Sequence, residues 1–572
     1  LKFTARFFYR YLRIKIMIET SNINRRRVIQ GMGLTLGLAS LRGFEVAAAA
    51  PAHFTHGIAS GDPLGDRVIL WTRVLPGDGT LEALTGRWEV AEDLQFKRIV
   101  ASGESTTGPA RDYTVKVDAT GLKPDTRYWF RFVFGGVISP IGRTQTLPEG
   151  AVETFTVAVC SCSNYPQGYF NAYRDIATAD VDVVMHLGDY IYEYAQGVYA
   201  NPYVVDSLGR AVVPEHEILA LEDYRQRYGL YRTDTDLQAA HAAHPWICVW
   251  DDHELANNTW QEGAQNHNDG EGDFATRIQM ARKAYHEWMP IRTPAQTDQG
   301  PIYRSFRVGD LADIIMLDTR LVGRDEQLDY RRDLIDAKRA PQVFKDTLLR
   351  DPKRTLLGED QLNWLANQLA ASKDRGAPWQ FLGQQVLMGK LNIPQMTQEQ
   401  LAMLTLPEEV RSYVLGTLQL GAFGLPMNLD AWDGYPADRE RVYQLLLELA
   451  NNPVVVAGDT HNGWAFNLQT EAGLSVGVEV GCPGITSPGL ESYFPLPPEQ
   501  MAKLLRGSSS ELLALDTYRR GWSKVTLTPD ATVSQWRFVS SILDRDYTVE
   551  ETPGLIAKVG ARQFSGALNG KQ

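Results

Sequence analysis

Four cysteines in 572 residues leave little material for disulfides, far below the density of a small cross-linked secreted scaffold. Cys160 and Cys162 stand two apart on one strand-like run, so both side chains point to the same face and do not pair with each other. A thiolate is left free for another task. Long apolar runs are missing as well: the N-terminal stretch 31–41 falls well short of the roughly 18–20 residues that span a bilayer. Basic surplus is also absent. The formal net charge is -12, and nine of the 57 Lys/Arg but two of the 69 Asp/Glu lie in residues 1–50, leaving 48 basic against 67 acidic residues beyond them, net -19. Such a surface repels a nucleic-acid backbone, so no nucleic acid is expected as a stable partner. Neither a Gly-x-Ser-x-Gly elbow with its partners nor a phosphate-cradling Walker loop occurs. Ser161 and Ser163 flank Cys162, but no separate His/Asp set remains to activate them, which argues against a covalent serine route. Internal repeats and low-complexity runs are missing too.

What is present begins with an address. Arg25-Arg26-Arg27 precedes the apolar stretch 31–41, and Ala47-Ala48-Ala49-Ala50 follows before Pro51. A basic region, a short apolar region and an Ala-rich zone make a cleavable export signal, not a transmembrane anchor. The Arg25-Arg26 pair resembles the twin-arginine signal, which implies the twin-arginine export machinery as a partner and a periplasmic, extracellular or envelope-associated destination. Met17 is the expected start. Export in the folded state would let a metal be loaded inside the cell, away from competing ions.

Residues 1–50 are therefore set aside as signal. From 51 to 150 short strands alternate with turns, as in 67–72, 114–117 and 127–133, and the run from Gly121 to Tyr128 has the look of a tyrosine corner. This reads as a small all-β fibronectin III-like sandwich. From 151 to 550 β-branched runs at 154–162, 181–189, 246–252, 313–318, 380–387, 453–458 and 474–481 alternate with helical patterns at 169–179, 221–231, 277–288, 358–372 and 437–449. That alternation predicts an α/β domain, a layered β-sheet core flanked by helices. Segments 321–357 and 391–436 lack strand patterning and are expected to wall or lid a site. Residues 551–572 are expected as a C-terminal tail.

Metal-capable residues gather at the ends of these strands. The runs deliver Cys162, then Asp189 with Tyr192 three residues on, then Asp251-Asp252-His253-Glu254, then Asp459 and His461. Ligand sites in open α/β sheets form beyond the carboxyl ends of strands. Taken singly, Cys162 is a buried thiol, Asp251 and Asp252 are helix caps, and His461 is a hydrogen-bonded structural histidine. Together, so many carboxylates at one edge would repel one another unless cations sat among them.

The blocks His56-Gly57-Ile58-Ala59-Ser60-Gly61-Asp62-Pro63, Cys162-Ser163-Asn164-Tyr165, Gly188-Asp189-Tyr190-Ile191-Tyr192-Glu193, Trp250-Asp251-Asp252-His253-Glu254, Leu317-Asp318-Thr319-Arg320 and Gly458-Asp459-Thr460-His461-Asn462 resemble the PhoD-type alkaline phosphatases and phosphodiesterases, in order over nearly all of 50–550. The resemblance implies a metallophosphoesterase-like catalytic domain behind a fibronectin-like one. Cys162, Tyr192 and Asp189 supply three negative charges and His461 a neutral nitrogen. That set suits a trivalent ion, by resemblance Fe(III). Asp189 as a bridge with Asp252 and Asp459 offers oxygen donors for a hard divalent ion, Ca(II), with Mn, Mg or Zn as alternatives; Gln384 is a further donor for that shell. The implied chemistry is attack of a metal-activated hydroxide on phosphorus. His253 is the candidate for stabilising or protonating the leaving group, with orienting Asp252 as the alternative, Asn257 for a phosphate oxygen, and Arg225 and Tyr228, one helical turn apart, for clamping the substrate. Arg227 and Arg232 compete with Arg225 for that role. Alternative readings are a phospholipase D-like phosphodiesterase on the same scaffold and, in another class, a non-catalytic envelope binding protein with a structural metal site.

Overall fold

The computed structural model describes residues 52–77, 79–294, 300–396, 415–416, 418–492, 494 and 496–567. The expected signal lies outside the described residues, as does 397–414 of the expected lid. No helix among the described residues is long and apolar enough to cross a membrane.

Two stacked sheets form the core of the α/β region. In the first, Phe155–Cys160, Val183–His186 and Pro245–Cys248 run parallel, and Arg520–Leu527 and Ala531–Val539 continue the sheet antiparallel. The second holds the parallel strands Ala312–Met316, Trp379–Gly383, Asn452–Ala457 and Ser475–Gly481, with Arg304–Val308 antiparallel at one edge and Gly463–Gln469 and Leu512–Asp516 at the other. All seven expected strands and all five expected helices are present, within a few residues of their bounds.

Alternation along the second sheet explains the layering. Ile314, Met316, Phe381, Val454 and Val456 join the inter-sheet core with Val157, Val159 and Met185. Their neighbours Ile315, Leu317, Leu382, Val455 and Ala457 point the other way, onto Leu365 and Leu369 of helix Gly358–Asp374 and Val442, Tyr443 and Leu446 of helix Pro436–Leu449. The sheets approach closely enough that a Cβ on Gly383 would lie 2.6 Å from the Met316 sulfur and 2.8 Å from that of Met185.

The all-β region faces Ile58–Gly61, Arg67–Arg73 and Thr114–Thr120 against a sheet of Leu84–Ala91, Ile99–Thr107, Arg127–Phe134 and two short strands. Val68, Leu70, Val115, Phe130 and Phe132 fill the space between. The expected corner is there, with the Tyr128 hydroxyl accepting the Lys123 amide at 2.9 Å. Ile58–Gly61 pairs in parallel with Pro245–Cys248 and makes one sheet of the sandwich continuous with the first sheet of the α/β region. The expected tail is corrected over 551–567: Val549–Glu551, Leu555–Lys558 and Phe564–Ala567 extend that same sheet at its other edge.

Candidate metal centre

The strands that carry the candidate ligands end at one rim, and the chain turns sharply there. Cys162, Asp189, Asp459 and His461 all adopt positive φ, between 57° and 63°, a region that side-chain-bearing residues enter only when their surroundings hold them there. The surroundings do so. The Cys162 amide donates to Gly188 O at 3.2 Å and the Ser487 amide to Cys162 O at 3.2 Å. Gly188 permits the approach of the next loop, because a Cβ at this position would lie 2.3 Å from the Asp251 Cβ.

Three groups of metal-capable side chains result, each with its ligand atoms within 4.8 Å of one another: Cys162, Asp189 and His461; Asp189, Asp252 and His253; Asp251, Asp252 and Asp459. Asp189 belongs to the first two and Asp252 to the last two, so the groups form a chain. Tyr192 joins the first. Its hydroxyl donates to Asp189 Oδ2 at 2.9 Å and lies 3.4 Å from His461 Nε2 and 2.6 Å from Ser487 Oγ. His461 Nδ1 is 2.7 Å from Pro488 O, which turns Nε2 toward Asp189 Oδ2 at 3.8 Å.

Burial dominates the electrostatics. It pushes the Cys162 thiol, the Asp189 carboxyl and the Tyr192 phenol well above their ordinary ranges, and raises Asp251 to about 8 and Asp459 to about 7 despite Arg320. It lowers His461 to about 3, so that ring is a neutral donor. Burial also opposes the charge on Asp252, but Arg320, His253 and the Asn258 amide together outweigh it and hold that carboxyl down at about 2. Without added cations the protein resists ionising most of these groups. Asp189 Oδ1, Asp251 Oδ2 and Asp252 Oδ1 are buried with no protein hydrogen-bond partner, so three oxygens of the two carboxylate-sharing groups are available to an ion. The donor set therefore fits metal ions.

Arg320 was named only as part of a motif, yet it is central. Wholly buried, its guanidinium donates to Asp251 Oδ1, to Asp430 Oδ2 at 2.8 Å and to Asp459 Oδ1 at 3.2 Å, and approaches Asp252 Oδ2 at 3.8 Å. Arg324 donates to the other Asp430 oxygen at 2.6 Å. Asp318 of the same motif is a local cap, its Oδ1 accepting the Arg320 and Leu321 amides. Asp430 stands in a stretch with no strand or helix pattern, which left no signal for it in the sequence.

His253 lies beside Asp189 and Asp252, its ring 4.2 Å from that of Tyr192, and its Nδ1 meets Glu193 Oε2 at 2.6 Å. Burial disfavours a charged His253, but Asp252, Glu193 and Asp189 outweigh it and raise its pKa well above the usual histidine value. Glu193 is fixed in turn by the Asn257 amide at 2.8 Å and by Asn266 Nδ2 at 2.8 Å, while the Asn257 side chain donates to Gln265 at 2.5 Å. Gln384 is buried, its Oε1 accepting Trp432 Nε1 at 2.6 Å. The clamp expected of Arg225 and Tyr228 is corrected. Arg225 donates twice to Glu287, at 2.8 Å, and to Ala110 O, and Tyr228 is a core residue stacked on Trp288 at 6.3 Å. Of their competitors, Arg227 holds the carbonyls of Tyr192, Val213 and Pro214, and Arg232 lies over Trp71.

With this geometry in place, comparison with known proteins is specific. Residues 157–536 match the family described as PhoD-like phosphatase, and residues 39–148 match the PhoD-like phosphatase N-terminal domain. Alkaline phosphatase D of Bacillus subtilis (strain 168) is 37% identical over 545 residues, covering 91% of this chain and 84% of that protein. A solved structure of PhoD superposes with a TM-score of 0.74 at 31% identity, covering 92% of this chain and 94% of that one. The chain belongs to the PhoD-like phosphatase family.

Proposed function

We propose that the protein is an exported phosphoric ester hydrolase whose two kinds of metal ion are divided between the two ends of the carboxylate chain. One observation carries the reading: buried Asp189 and Asp252 each belong to two ligand groups and each keeps an oxygen with no protein partner. Charge supports the division. Cys162, Tyr192 and Asp189 as anions total three negative charges around neutral His461, which suits Fe(III). Asp251, Asp252, Asp430 and Asp459 face Arg320 and Arg324, and the excess of two negative charges suits one divalent ion, with Ca(II) favoured by the oxygen donors. Such ions, when bound, polarise phosphoryl oxygens and lower the pKa of water.

The chain's own residues then have distinct tasks. Arg320 fixes the orientation of Asp251 and Asp459 and leaves Asp251 Oδ2 buried without a protein partner. Glu193 accepts at His253 Nδ1, which leaves the other ring nitrogen to carry a proton to the leaving oxygen. Tyr192, Tyr194 and Tyr199, whose rings lie within 6 Å of one another or of His253, narrow the access of bulk water. Export is supported by the Arg25-Arg26-Arg27 and 31–41 signal pattern.

Hydrolysis of p-nitrophenyl phosphate and of its bis ester, with calcium added or chelated, tests the reading. Calcium-dependent turnover of at least one ester is expected, and their ratio separates phosphatase from phosphodiesterase. Metal-replete protein that hydrolyses neither would make the site structural.

A further inference from the structure

Behind the Cys162 sulfur stands a hydroxyl with no task yet. Ser161 is wholly buried, and its Oγ lies 3.0 Å from Cys162 Sγ and 3.2 Å from Cys482 Sγ. Among the described residues these two sulfurs are the hydroxyl's hydrogen-bonding partners. The backbone fixes all three groups. Ser161 bridges to Gly484 and its carbonyl accepts the Ile485 amide at 3.0 Å, while the Cys482 amide donates to Ala457 O at 2.8 Å. Gly458 leaves the hydroxyl its space, since a Cβ there would sit 2.8 Å from Ser161 Oγ.

We propose that Cys482 and Ser161 form a one-way hydrogen-bond relay that positions the Cys162 thiolate and moderates its donation to the metal. The inference rests on the reading of Cys162 as a ligand and deepens it. A protonated Cys162 donates to Ser161 Oγ. The thiolate has no proton and can only accept, so the Ser161 O–H turns toward Cys162 Sγ, and its oxygen is then open to the S–H of Cys482. Cys482 is a buried free cysteine and burial pushes its thiol up, so it stays a thiol donor. Every proton in the row then points toward Cys162. Ser161 and Cys482 touch neither substrate nor metal; they are positioning residues. Partners of this kind typically change metal affinity or activity by about 10–100-fold when removed.

The test uses the full-length iron-loaded protein and reads iron affinity by competition with a chelator, the sulfur-to-iron absorption band, and the iron–sulfur stretch by resonance Raman. Ser161→Ala is expected to weaken iron binding about 10–100-fold, because the thiolate loses the partner that positions it; it is also expected to move the sulfur band to longer wavelength and raise the iron–sulfur stretch, because a thiolate without its hydrogen bond donates more strongly. Cys482→Ala is expected to shift both spectral features less far in the same direction, and Cys482→Ser, which keeps a donor, to leave them in place. If Ser161→Ala does not fold, the Cys482 pair decides. Wild-type spectra and affinity in Ser161→Ala, or wild-type spectra in Cys482→Ala, overturn the relay provided that Cys162→Ala abolishes the sulfur band. A Cys162→Ala protein that keeps both iron and spectrum instead overturns the ligand reading, and the relay with it.

Discussion

His253 Nδ1 and Glu193 Oε2 lie 2.6 Å apart, both buried, at the point where the Tyr192 loop meets the Asp252 loop. Glu193 accepts at one ring nitrogen and so decides which nitrogen faces the cluster. Glu193→Gln keeps the shape and removes the charge. It is expected to lower kcat by about 10²-fold with little change in KM and to shift the alkaline limb of the pH–rate profile downward. A change confined to KM would assign Glu193 to substrate binding instead.

Arg320 meets carboxylates from three other segments, with Asp251 69 residues away and Asp459 139 residues away. Removing a buried cation leaves its partners uncompensated at a cost of about 3–5 kcal/mol. Arg320→Met is expected to lower the thermal midpoint sharply in chelator and to recover part of the loss in excess calcium. Arg320→Lys, a point charge without the fork, is expected to rescue little. Equal losses with and without calcium would separate Arg320 from the divalent site.

The pairing of Arg225 with Glu287 makes an opposite prediction. Arg225→Ala is expected to leave KM for p-nitrophenyl phosphate within about twofold while costing about 1–3 kcal/mol of stability, the penalty for a buried polar group without its partner. Lys283, 3.0 Å from Glu287, softens that loss. A tenfold rise in KM at unchanged stability would restore the clamp.

Acid sensitivity follows from histidines kept neutral by burial. His186 is held near 3 by burial, and His286 near 3 by burial and Lys116. Each binds its proton more readily when unfolded, so its contribution is complete above pH 6.5 and is lost as pH falls toward 3. At pH 5 this amounts to about 2 kcal/mol for each ring. Denaturant midpoints measured in chelator between pH 7 and 5 are expected to fall, and His186→Asn to reduce the slope by about one proton. A flat profile would show these rings already accommodated as cations.

Legibility in the sequence tracked the range of the interactions. Runs such as 155–160 and 452–457 were legible because β-branched residues repeat within a few positions, and the ligands were legible because each stands just past such a run. Spacing placed Arg225 and Tyr228 on one face of helix Leu221–Arg232 but carried no information about what that face meets, which is Glu287 and Trp288 of helix Phe274–Trp288. The Asp430–Arg320 contact spans 110 residues and has no local pattern. The strands after residue 548 have three or four residues each and pair only through the sheet edge already formed, so their periodicity was too brief to read.

The central claim is that buried thiolate, phenolate and carboxylate groups converge at this rim because metal ions hold them there. Metal content and the visible spectrum of the purified protein test it most directly. The account predicts iron with a phenolate-to-iron band that Tyr192→Phe removes. Stoichiometric zinc without iron, or a band that survives Tyr192→Phe, would contradict it.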